Sequence, residues 1–489
     1  MQKLETLHFD NRFARLPDLF YTRLSPTPLP APYLVSFNSD AAALIDLDPA
    51  EAKRPDFSEY LSGNCLLPGS DPLAMLYSGH QFGVYVPQLG DGRAILLGEV
   101  KNQAGARWEM QLKGAGQTPY SRQGDGRAVL RSTIREYLCG EAMAGLGIPT
   151  TRALCIVGSD LKVYRETTES AAVLLRLAPS HIRFGSFQVF YDRKQFDALK
   201  QLADYVIGEH FPECFASEDR YGSFFTEVVL RTARLMADWQ AVGFAHGVMN
   251  TDNMSILGLT FDYGPFGFME HYDPGLICNH SDPGGRYAFN RQPEVGLWNL
   301  SALAQALTPL ISKETLTGAL DRYEPVFHAD YAKRMAQKLG LKKFLDADLS
   351  LISGLLGLLH ANHVDYTNFF RALGHIKRTG IEPNAPVRTM FTDLAAFDDW
   401  ARQYHPRLAM EESTDEERKR GMDGVNPKYI LRNHLAQIAI EKAAGARDYS
   451  EIDRLRQLLR HPFDEQPEME KYAAPPPDWA KGIEVSCSS

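Results

Sequence analysis

The chain has 489 residues, of which 44% are hydrophobic and 23% are charged, a balance typical of globular proteins. Its 52 lysines and arginines against 61 aspartates and glutamates give a formal net charge of −9, with no basic block along the chain. This charge argues against general nucleic-acid binding and against attachment to an anionic membrane surface. The length predicts two or three packed units rather than one core.

The sequence carries no sign of a membrane or export segment. No run of about eighteen apolar residues occurs, and the first ten residues include acids and no hydrophobic signal region. We therefore expect a cytoplasmic protein that does not span a membrane, with a monomer as the default state. The six cysteines form no CxxC pair, so neither a zinc site nor a disulfide scaffold is expected.

The first half of the chain has the signals of a β-rich unit with one helix. Residues 1–75 are proline-rich and are predicted to form an extended segment against the core. Leu130, Ile134 and Leu138 recur every four residues and predict a helix over 128–144, which Gly145 ends. Short apolar or alternating runs between glycines predict strands over 84–87, 94–100, 108–113, 153–157 and 172–177.

Beyond about residue 180 helical patterns dominate, with helices predicted over 224–242, repeatedly between 295 and 375, and over 435–444 and 452–459. A β-rich lobe with one key helix followed by a larger helical lobe is an α+β fold, with a ligand cleft expected between the lobes. The predicted boundaries are 1–75 for the N-terminal extension, 76–180 for the β-rich lobe and 181–489 for the helical lobe and tail.

Several features follow the order in which protein kinases carry them. The turn Gly90–Arg93, whose GDGR sequence recurs at Gly124–Arg127, has backbone amides that could face phosphates. Lys113 ends the next strand and could neutralise phosphate charge if a carboxylate holds it in place. Taken alone, the turn is better explained as an ordinary hairpin turn and Lys113 as an exposed strand lysine. The helix offers Glu136 as the partner, but periodicity does not select it over Glu141, which lies nearer the apolar stripe.

The most specific local pattern is His246–Asn253 followed by Phe261–Gly264. Its histidine and asparagine stand seven residues apart, as they do in the kinase catalytic loop. Asn253 can offer an amide oxygen and Asp262 a carboxylate, which are the hard ligands that Mg²⁺ prefers. A hydrogen-bonded turn without catalytic function is the simpler alternative.

The kinase base has no counterpart at its usual position, because Val248 stands there. Asp252, next to the metal-ligand candidate, is the substitute proton acceptor. Arg176, near the end of the last predicted strand, and Arg183 just beyond it could bind phosphate oxygens through their forked guanidinium groups. Each arginine alone is better explained by a surface or packing role.

On the basis of these residues, the chain resembles the selenoprotein O family, also called the YdiU family, over nearly its whole length. The resemblance implies a protein-kinase-like pseudokinase fold that binds ATP in a reversed orientation. It further implies transfer of AMP to Ser, Thr or Tyr hydroxyls of proteins, with release of pyrophosphate. The stretches that carry the resemblance are Tyr77–Ala94, Gln111–Arg122, Gly124–Glu136, His246–Ser255 and Val485–Ser489.

The family pattern also implies a role for each matching residue of this chain. Lys113 and Glu136 would form an ion pair, which decides between the two glutamates. Asp252 would accept the proton, and Asn253 and Asp262 would bind Mg²⁺ or Mn²⁺. Nucleotide contacts are implied for Gly90, Gly92, Arg93, Lys113, Asp125, Gly126, Arg176, Arg183 and Asp262.

The tail carries a further implication of the resemblance. Eukaryotic relatives have selenocysteine at the position of Cys487, and relatives with cysteine there imply a disulfide within the chain. Cys278, shortly after the metal-binding segment, is the candidate partner. Because only two residues follow Cys487, burial there would be unusual. An exposed thiol without a function is the equally weighted alternative.

Three other functions stay open. The chain could be an unorthodox kinase with Asp252 as its base, or a UMP transferase that uses UTP with Mn²⁺. It could also be a nucleotide-binding pseudokinase scaffold, although a scaffold has no need of both Asn253 and Asp262. The resemblance implies protein substrates but names none of them.

Overall fold

The structure, a computed structural model, describes residues 1–380 and 385–485. An antiparallel sheet dominates the first 180 of these residues, and helices dominate the rest, which confirms the α+β class predicted from the sequence. Within these residues no helix combines the length and the apolar character needed to cross a membrane.

In the described part of the chain, eight strands form one sheet in the order β1-β3-β6-β7-β10-β9-β2, with β8 pairing to β10. Two small two-stranded sheets, the hairpin β4–β5 and the pair β11–β12, stand apart from it. The strands are β1 Tyr21–Arg23, β2 Tyr33–Phe37, β3 Leu73–Met75, β4 Gly79–Gln81, β5 Val84–Val86, β6 Ala94–Lys101, β7 Arg107–Lys113, β8 Ala128–Val129, β9 Arg152–Tyr164, β10 Thr168–Ala178, β11 Phe244–Ala245 and β12 Gly267–Phe268.

Alternation along the central strands separates a core face from a polar face. Met110 and Leu112 of β7 enter an apolar core on one side of the sheet, so Gln111 and Lys113 point to the other side. The register sets Arg176 of β10 opposite Gln111, which brings the cations of the two strands to one face. The period-2 pattern of β7 therefore places Lys113 at the cleft.

The helices pack in two apolar clusters, one against the cleft face of the sheet and one farther along the chain. Helix α6 begins after Asp219, whose side chain accepts from Gly222 N, and ends at Gly243 with φ 77°. The helices are α1 Ser39–Leu44, α2 Phe57–Leu61, α3 Leu130–Gly145, α4 Phe184–Asp192, α5 Phe196–His210, α6 Arg220–Val242, α7 Gln292–Leu307, α8 Lys313–Leu320, α9 Tyr323–Lys338, α10 Asp348–Ala361, α11 Tyr366–Leu373, α12 Leu394–Ala409, α13 Asp415–Asp423, α14 Asn433–Ala446 and α15 Ser450–Arg460.

Helix α3, the predicted single helix of the β-rich part, is held from both sides. One side contacts β9 and β10, and the other contacts α14 and α15 near the end of the chain. Ser36 Oγ of β2 donates to Asp453 Oδ1 of α15 at 2.7 Å and lies 3.0 Å from Tyr137 Oη of α3. Distant parts of the sequence thus fix the position of α3.

The N-terminal extension does more than lie against the core as a predicted extended segment. It supplies β1 and β2, the strands at the two ends of the sheet order, and helices α1 and α2. The strand Tyr33–Phe37 pairs with β9 through Phe37 and Cys155 among others. This strand was not predicted, because the prolines before it weaken the strand signal. Prolines are nevertheless usual at the edges of sheets.

Candidate active site

A cleft of about 580 Å³ opens where the sheet meets the helical part, with walls from both. Loops beside β6 and β7 form one wall, and the 3-10 turn Thr251–Asn253 lies in the other. Glu136 lies behind Lys113 rather than in the lining, and Cys278 lies elsewhere. The predicted residues that line the cleft are Gly90, Gly92, Arg93, Lys113, Asp125, Gly126, Arg176, Arg183, Asp252, Asn253 and Asp262.

The ammonium group of Lys113 meets α3 at Glu136. Lys113 Nζ lies 2.5 Å from Glu136 Oε2, and Arg176 Nη1 lies 3.0 Å from Glu136 Oε1, so one carboxylate holds two cations. Burial lowers the pKa of Lys113, although the negative charges of Glu136 and Asp262 oppose that effect. The pair fixes Lys113 where its charge faces the cleft.

Glu141, the alternative partner that helical periodicity left open, pairs with a different residue. Its Oε2 lies 2.6 Å from Arg152 Nη2 at the start of β9. Glu136 and Glu141 are 4% and 5% exposed, so burial does not distinguish them. The structure brings Glu136 to the cleft lysine and Glu141 to the far end of the same helix.

Asp262 sits among three cations. Its Oδ1 lies 2.5 Å from Arg176 Nη1 and 3.4 Å from Lys113 Nζ, and its Oδ2 lies 3.0 Å from Arg183 Nη1. Burial alone would raise the pKa of Asp262, but Arg176, Lys113 and Arg183 outweigh it and hold that pKa well below the ordinary range. The residue has φ 56°, a conformation uncommon for a residue with a side chain and frequent at functional sites.

Arg183 immediately precedes α4 and contacts both Asp252 and Asp262. Its Nη1 donates to the carbonyl oxygen of Asp252 at 2.8 Å as well as to the Asp262 carboxylate. The guanidinium lies 4.2 Å from the centroid of Tyr77 and 4.8 Å from that of Phe261, positions that suit cation–π attraction. These contacts fix both the arginine and the turn that carries Asp252.

Asp252 is 7% exposed and lies on the 3-10 turn. Its Oδ2 accepts a hydrogen bond from Gln81 Nε2 at 3.1 Å, whereas its buried Oδ1 accepts none from any described residue. Burial raises the pKa of Asp252 to about 6, although Gln81 and the charge of Arg183 act in the opposite direction. A carboxylate that lines the cleft and has a raised pKa can accept a proton from an incoming group.

The side chains that could hold a metal ion fit a hard divalent cation. Asn253 Nδ2 donates to Val248 O at 3.1 Å, which orients the amide and leaves its oxygen as a potential ligand. Asp262 supplies a carboxylate, and Mg²⁺ and Mn²⁺ accept such oxygens together with phosphates. Among the described residues no group of three or more His, Cys, Asp or Glu side chains could hold a metal, so phosphate oxygens would have to complete the site.

The glycines of the two GDGR turns permit close backbone packing. Gly90 has φ 138°, and a Cβ there would overlap the ring of Tyr120. Gly126 has φ 68°, and a Cβ there would overlap the carbonyl oxygen of Gly116. Both turns line the cleft, so the repeat forms part of one site.

The rim of the cleft carries further positive charge. Asp125 of the second turn lies 2.7 Å from Arg165 Nη2, and this hydrogen bond lowers the pKa of Asp125. Arg93, Arg122 and Arg165 line the cleft together with the buried cations described above. A concentration of guanidinium and ammonium groups around a polar cleft suits a polyphosphate ligand.

Three polar residues of the site were missed in the sequence analysis. Asp91, inside the first turn, is 2% exposed and accepts from Met75 N at 3.1 Å and from Gln111 Nε2 at 3.3 Å. Burial raises the pKa of Asp91 to about 6. Gln111 also accepts from Arg176 and could have been found, because period-2 alternation puts it on the face of Lys113. Gln81, the partner of Asp252, had no such signal.

Cys278 lies beside a second, smaller cavity of about 270 Å³, which Ile483–Val485 of the tail also line. Val485 O accepts from His280 N at 2.9 Å, which ties the tail to the segment that contains Cys278. Cys487, the predicted partner of Cys278, lies outside the described residues.

Comparison with known proteins shows to which family the chain belongs. The family model described as protein adenylyltransferase SelO matches residues 3–460. A protein nucleotidyltransferase YdiU from Thiobacillus denitrificans is 60% identical over 489 residues, and one from Myxococcus xanthus is 58% identical over 489 residues. A third of that name, from Thioalkalivibrio sulfidiphilus, is 57% identical over 495 residues, and all three alignments cover 100% of both chains. The chain therefore belongs to the SelO family of protein adenylyltransferases, as its motifs predicted.

Proposed function

We propose that this enzyme transfers AMP from ATP to the hydroxyl groups of Ser, Thr or Tyr side chains of other proteins, and releases pyrophosphate. Support for nucleotidyl transfer comes from the family and from full-length relatives named protein nucleotidyltransferases. The structural observation that carries the proposal is the cleft in which three cations surround Asp262 and which Asp252 also lines.

We also propose that the sheet and the helical part correspond to the lobes of a protein-kinase-like fold, over 76–180 and 181–489, with 1–75 as an extension. The order of the site residues along the chain supports this proposal. A lysine on β7 comes first, a glutamate on α3 follows, and the turn with Asp252 precedes Asp262. The extension is integrated with the first lobe through β1 and β2.

In this proposal the cations of the cleft bind the triphosphate. Lys113, Arg176 and Arg183 are held by carboxylates and would act as preorganised charges, because they need no rearrangement as charge develops on the leaving group. Gly90, Gly92, Arg93, Asp125 and Gly126 would shape the turns that receive the nucleotide. We expect ATP to bind in the reversed orientation that the family resemblance implies.

Asp252 would act as the proton acceptor. The acceptor hydroxyl oxygen forms a bond to the α-phosphorus, its proton passes to Asp252, and the bond from that phosphorus to the pyrophosphate oxygen breaks. Val248 occupies the position of the usual kinase base, is 8% exposed and cannot accept a proton. This substitution disfavours orthodox phosphoryl transfer but does not by itself select AMP transfer.

Asn253 and Asp262 would hold Mg²⁺ or Mn²⁺ with oxygen ligands. When bound, such an ion neutralises phosphate charge and favours departure of pyrophosphate. The protein's own contribution here is to keep both side chains in place, Asn253 through Val248 O and Asp262 through its cationic neighbours.

The test supplies the full-length protein with ATP labelled at either the α- or the γ-phosphate, with Mg²⁺ or Mn²⁺ and a generic protein acceptor. We expect α-label on the acceptor and a mass gain of one AMP. Asp252→Asn and Asp262→Asn should abolish transfer, whereas Asp346→Asn, at an exposed site far along the chain, should not.

Each alternative gives a distinct result in the same assay. Label from the γ position alone would establish a kinase and refute AMP transfer. A strong preference for UTP with Mn²⁺ would establish UMP transfer, which the broader name of the relatives also covers. Nucleotide binding without label on any acceptor would favour a scaffold.

A further inference from the structure

The hairpin β4–β5 has an unusual turn at the edge of the cleft. Phe82 and Gly83 form its two-residue connection with φ 51° and φ 83°, the positive pair of a type I′ turn. A phenylalanine in this conformation is strained and persists only where other contacts impose it. Phe82 N donates to Asn250 Oδ1 at 3.1 Å and to Tyr287 Oη at 3.0 Å, which provides that constraint.

Strand β4 of this hairpin packs directly on the turn that carries Asp252. His80 N donates to Thr251 Oγ1 at 2.7 Å. A Cβ at Gly79 would lie 2.8 Å from Asp252 Oδ1, closer than side-chain atoms tolerate, so glycine permits the approach. The hairpin is therefore fixed against the catalytic turn at its tip and along its length.

The next residue of β4, Gln81, reaches the Asp252 carboxylate. Its Nε2 donates to Asp252 Oδ2 at 3.1 Å, and both side chains line the cleft. The other oxygen, Oδ1, is buried and accepts no hydrogen bond from the described residues. One carboxylate oxygen is thus held, and rotation that would exchange the two oxygens would break that bond.

We propose that Gln81 is a positioning residue for nucleotidyl transfer, because its amide holds Asp252 Oδ2 and so fixes the orientation in which the carboxylate accepts the proton of the acceptor hydroxyl. This inference rests on the proposed role of Asp252 as the proton acceptor. Gln81 itself forms and breaks no covalent bond and stays neutral throughout. The proton moves from the hydroxyl to the Asp252 carboxylate as the new bond from oxygen to the α-phosphorus forms and pyrophosphate departs.

The requirement at position 81 is a hydrogen-bond donor of glutamine length. Methionine keeps nearly the same length and shape but donates no hydrogen bond. Glutamate keeps the shape and directs a carboxylate at the Asp252 carboxylate, which is repulsive when both are ionised. A role in packing alone would tolerate both changes, whereas a positioning role would not.

The experiment compares Gln81→Met and Gln81→Glu with the unchanged protein, using full-length chains. It measures kcat and KM for AMP transfer, the dissociation constant of ATP with Mg²⁺, and the melting temperature. Gln88→Met is the matched control, because Gln88 is an exposed glutamine near the same hairpin that contacts Arg193 rather than Asp252.

We expect Gln81→Met to lower kcat about tenfold to a hundredfold, the range for a lost hydrogen bond to a charged group. Gln81→Glu should lower kcat further. The ATP dissociation constant and the melting temperature should change little in either variant, and Gln88→Met should match the unchanged protein.

Two results would overturn the inference while leaving the proposed function intact. In the first, Gln81→Met keeps full kcat although Asp252→Asn is inactive. In the second, its loss of kcat is matched by a loss of ATP affinity or of melting temperature, which would indicate a packing role. Full activity of Asp252→Asn would instead refute the proposed proton acceptor and, with it, the basis of this inference.

Discussion

The guanidinium of Arg176 lies 2.5 Å from the carboxylate of Asp262, which links strand β10 to the segment after the turn Thr251–Asn253. The same Nη1 atom lies 3.0 Å from Glu136 Oε1 on α3. One arginine, 2% exposed, therefore connects the sheet, the helix and the opposite wall of the cleft. Buried charges in such a network depend on one another, because removal of one partner leaves another uncompensated.

Replacement of Glu136 by glutamine should strongly reduce transfer. The change removes the negative charge that holds Lys113 and Arg176, so both cations lose their fixed positions. We expect kcat/KM to fall at least about a hundredfold, because the loss of a single preorganised electrostatic contact already has an effect of that size. Steady-state transfer assays measure the effect.

Glu141→Gln is the matched control for this experiment. It removes an equally buried glutamate of the same helix, whose partner is Arg152 rather than Lys113. This variant should lose stability but retain transfer in the protein that remains folded. Equal losses of activity in the two variants would refute the assignment of Glu136 to the site.

Replacement of Gly126 by alanine should damage the second GDGR turn. A Cβ there would overlap the carbonyl oxygen of Gly116, in addition to the cost of a left-handed conformation. Gly105→Ala isolates that second cost, because Gly105 has φ 85° but open space around its Cβ. Gly105→Ala should cost about 1 kcal/mol of unfolding free energy. Gly126→Ala should cost clearly more and weaken ATP binding, as measured by urea unfolding and nucleotide titration.

Lys338 provides a test of stability against pH. It is 5% exposed on α9 and lies 4.2 Å from the ring centroid of Phe370, and burial lowers its pKa to about 7. Between about pH 7 and 10.5 the unfolded chain binds a proton at this residue that the folded chain does not. The lysine therefore destabilises the folded protein increasingly as the pH falls through that interval, and its penalty is complete below pH 7.

Lys338→Met should consequently stabilise the protein, and the gain in unfolding free energy should be larger at pH 7 than at pH 9.5. Urea unfolding at both values measures the difference. Lys333→Met, at an exposed position on the same helix, is the control and should show no such dependence on pH. An equal effect of Lys338→Met at both pH values would contradict the lowered pKa.

The pairing of Cys278 with Cys487 stays a prediction. Oxidation by glutathione disulfide would remove two electrons and two protons from the two thiols and yield two glutathione thiols. Because Val485 lies beside the Cys278 segment, we expect peptide mapping under non-reducing conditions to recover a linked peptide. Recovery of both cysteines as thiols after mild oxidation would end the idea.

Elements with strong local signals were predictable from the sequence. The strands β6 and β7 and the helices α3 and α6 are confirmed close to their predicted bounds, because short apolar or alternating runs and, in α3, four-residue periodicity are strong local signals. Helix α4 was not predicted, since its aromatic sequence with an early glycine has no clear stripe. Packing against α7, α5, β4 and the turn Thr251–Asn253 stabilises it instead.

The site was predictable where its chemistry is local. The order of the motifs led to Lys113 and Asp262, which the structure brings into one cleft. The choice between Glu136 and Glu141 was not possible from periodicity, because both are buried and differ only in the strand that each faces. Gln81 could not be found at all, since its contact joins residues 171 positions apart.

The contact of Ser36 with Asp453 has a consequence for synthesis of the protein. The two residues are 417 positions apart, so α3 lacks its outer support until the ribosome has made almost the whole chain. At about 5–20 residues per second, this interval lasts on the order of 20–80 s. A nascent or prematurely terminated chain could complete its sheet yet leave Glu136 without a fixed helix. The contact between Lys113 and Glu136 would then be fixed only when translation is nearly finished.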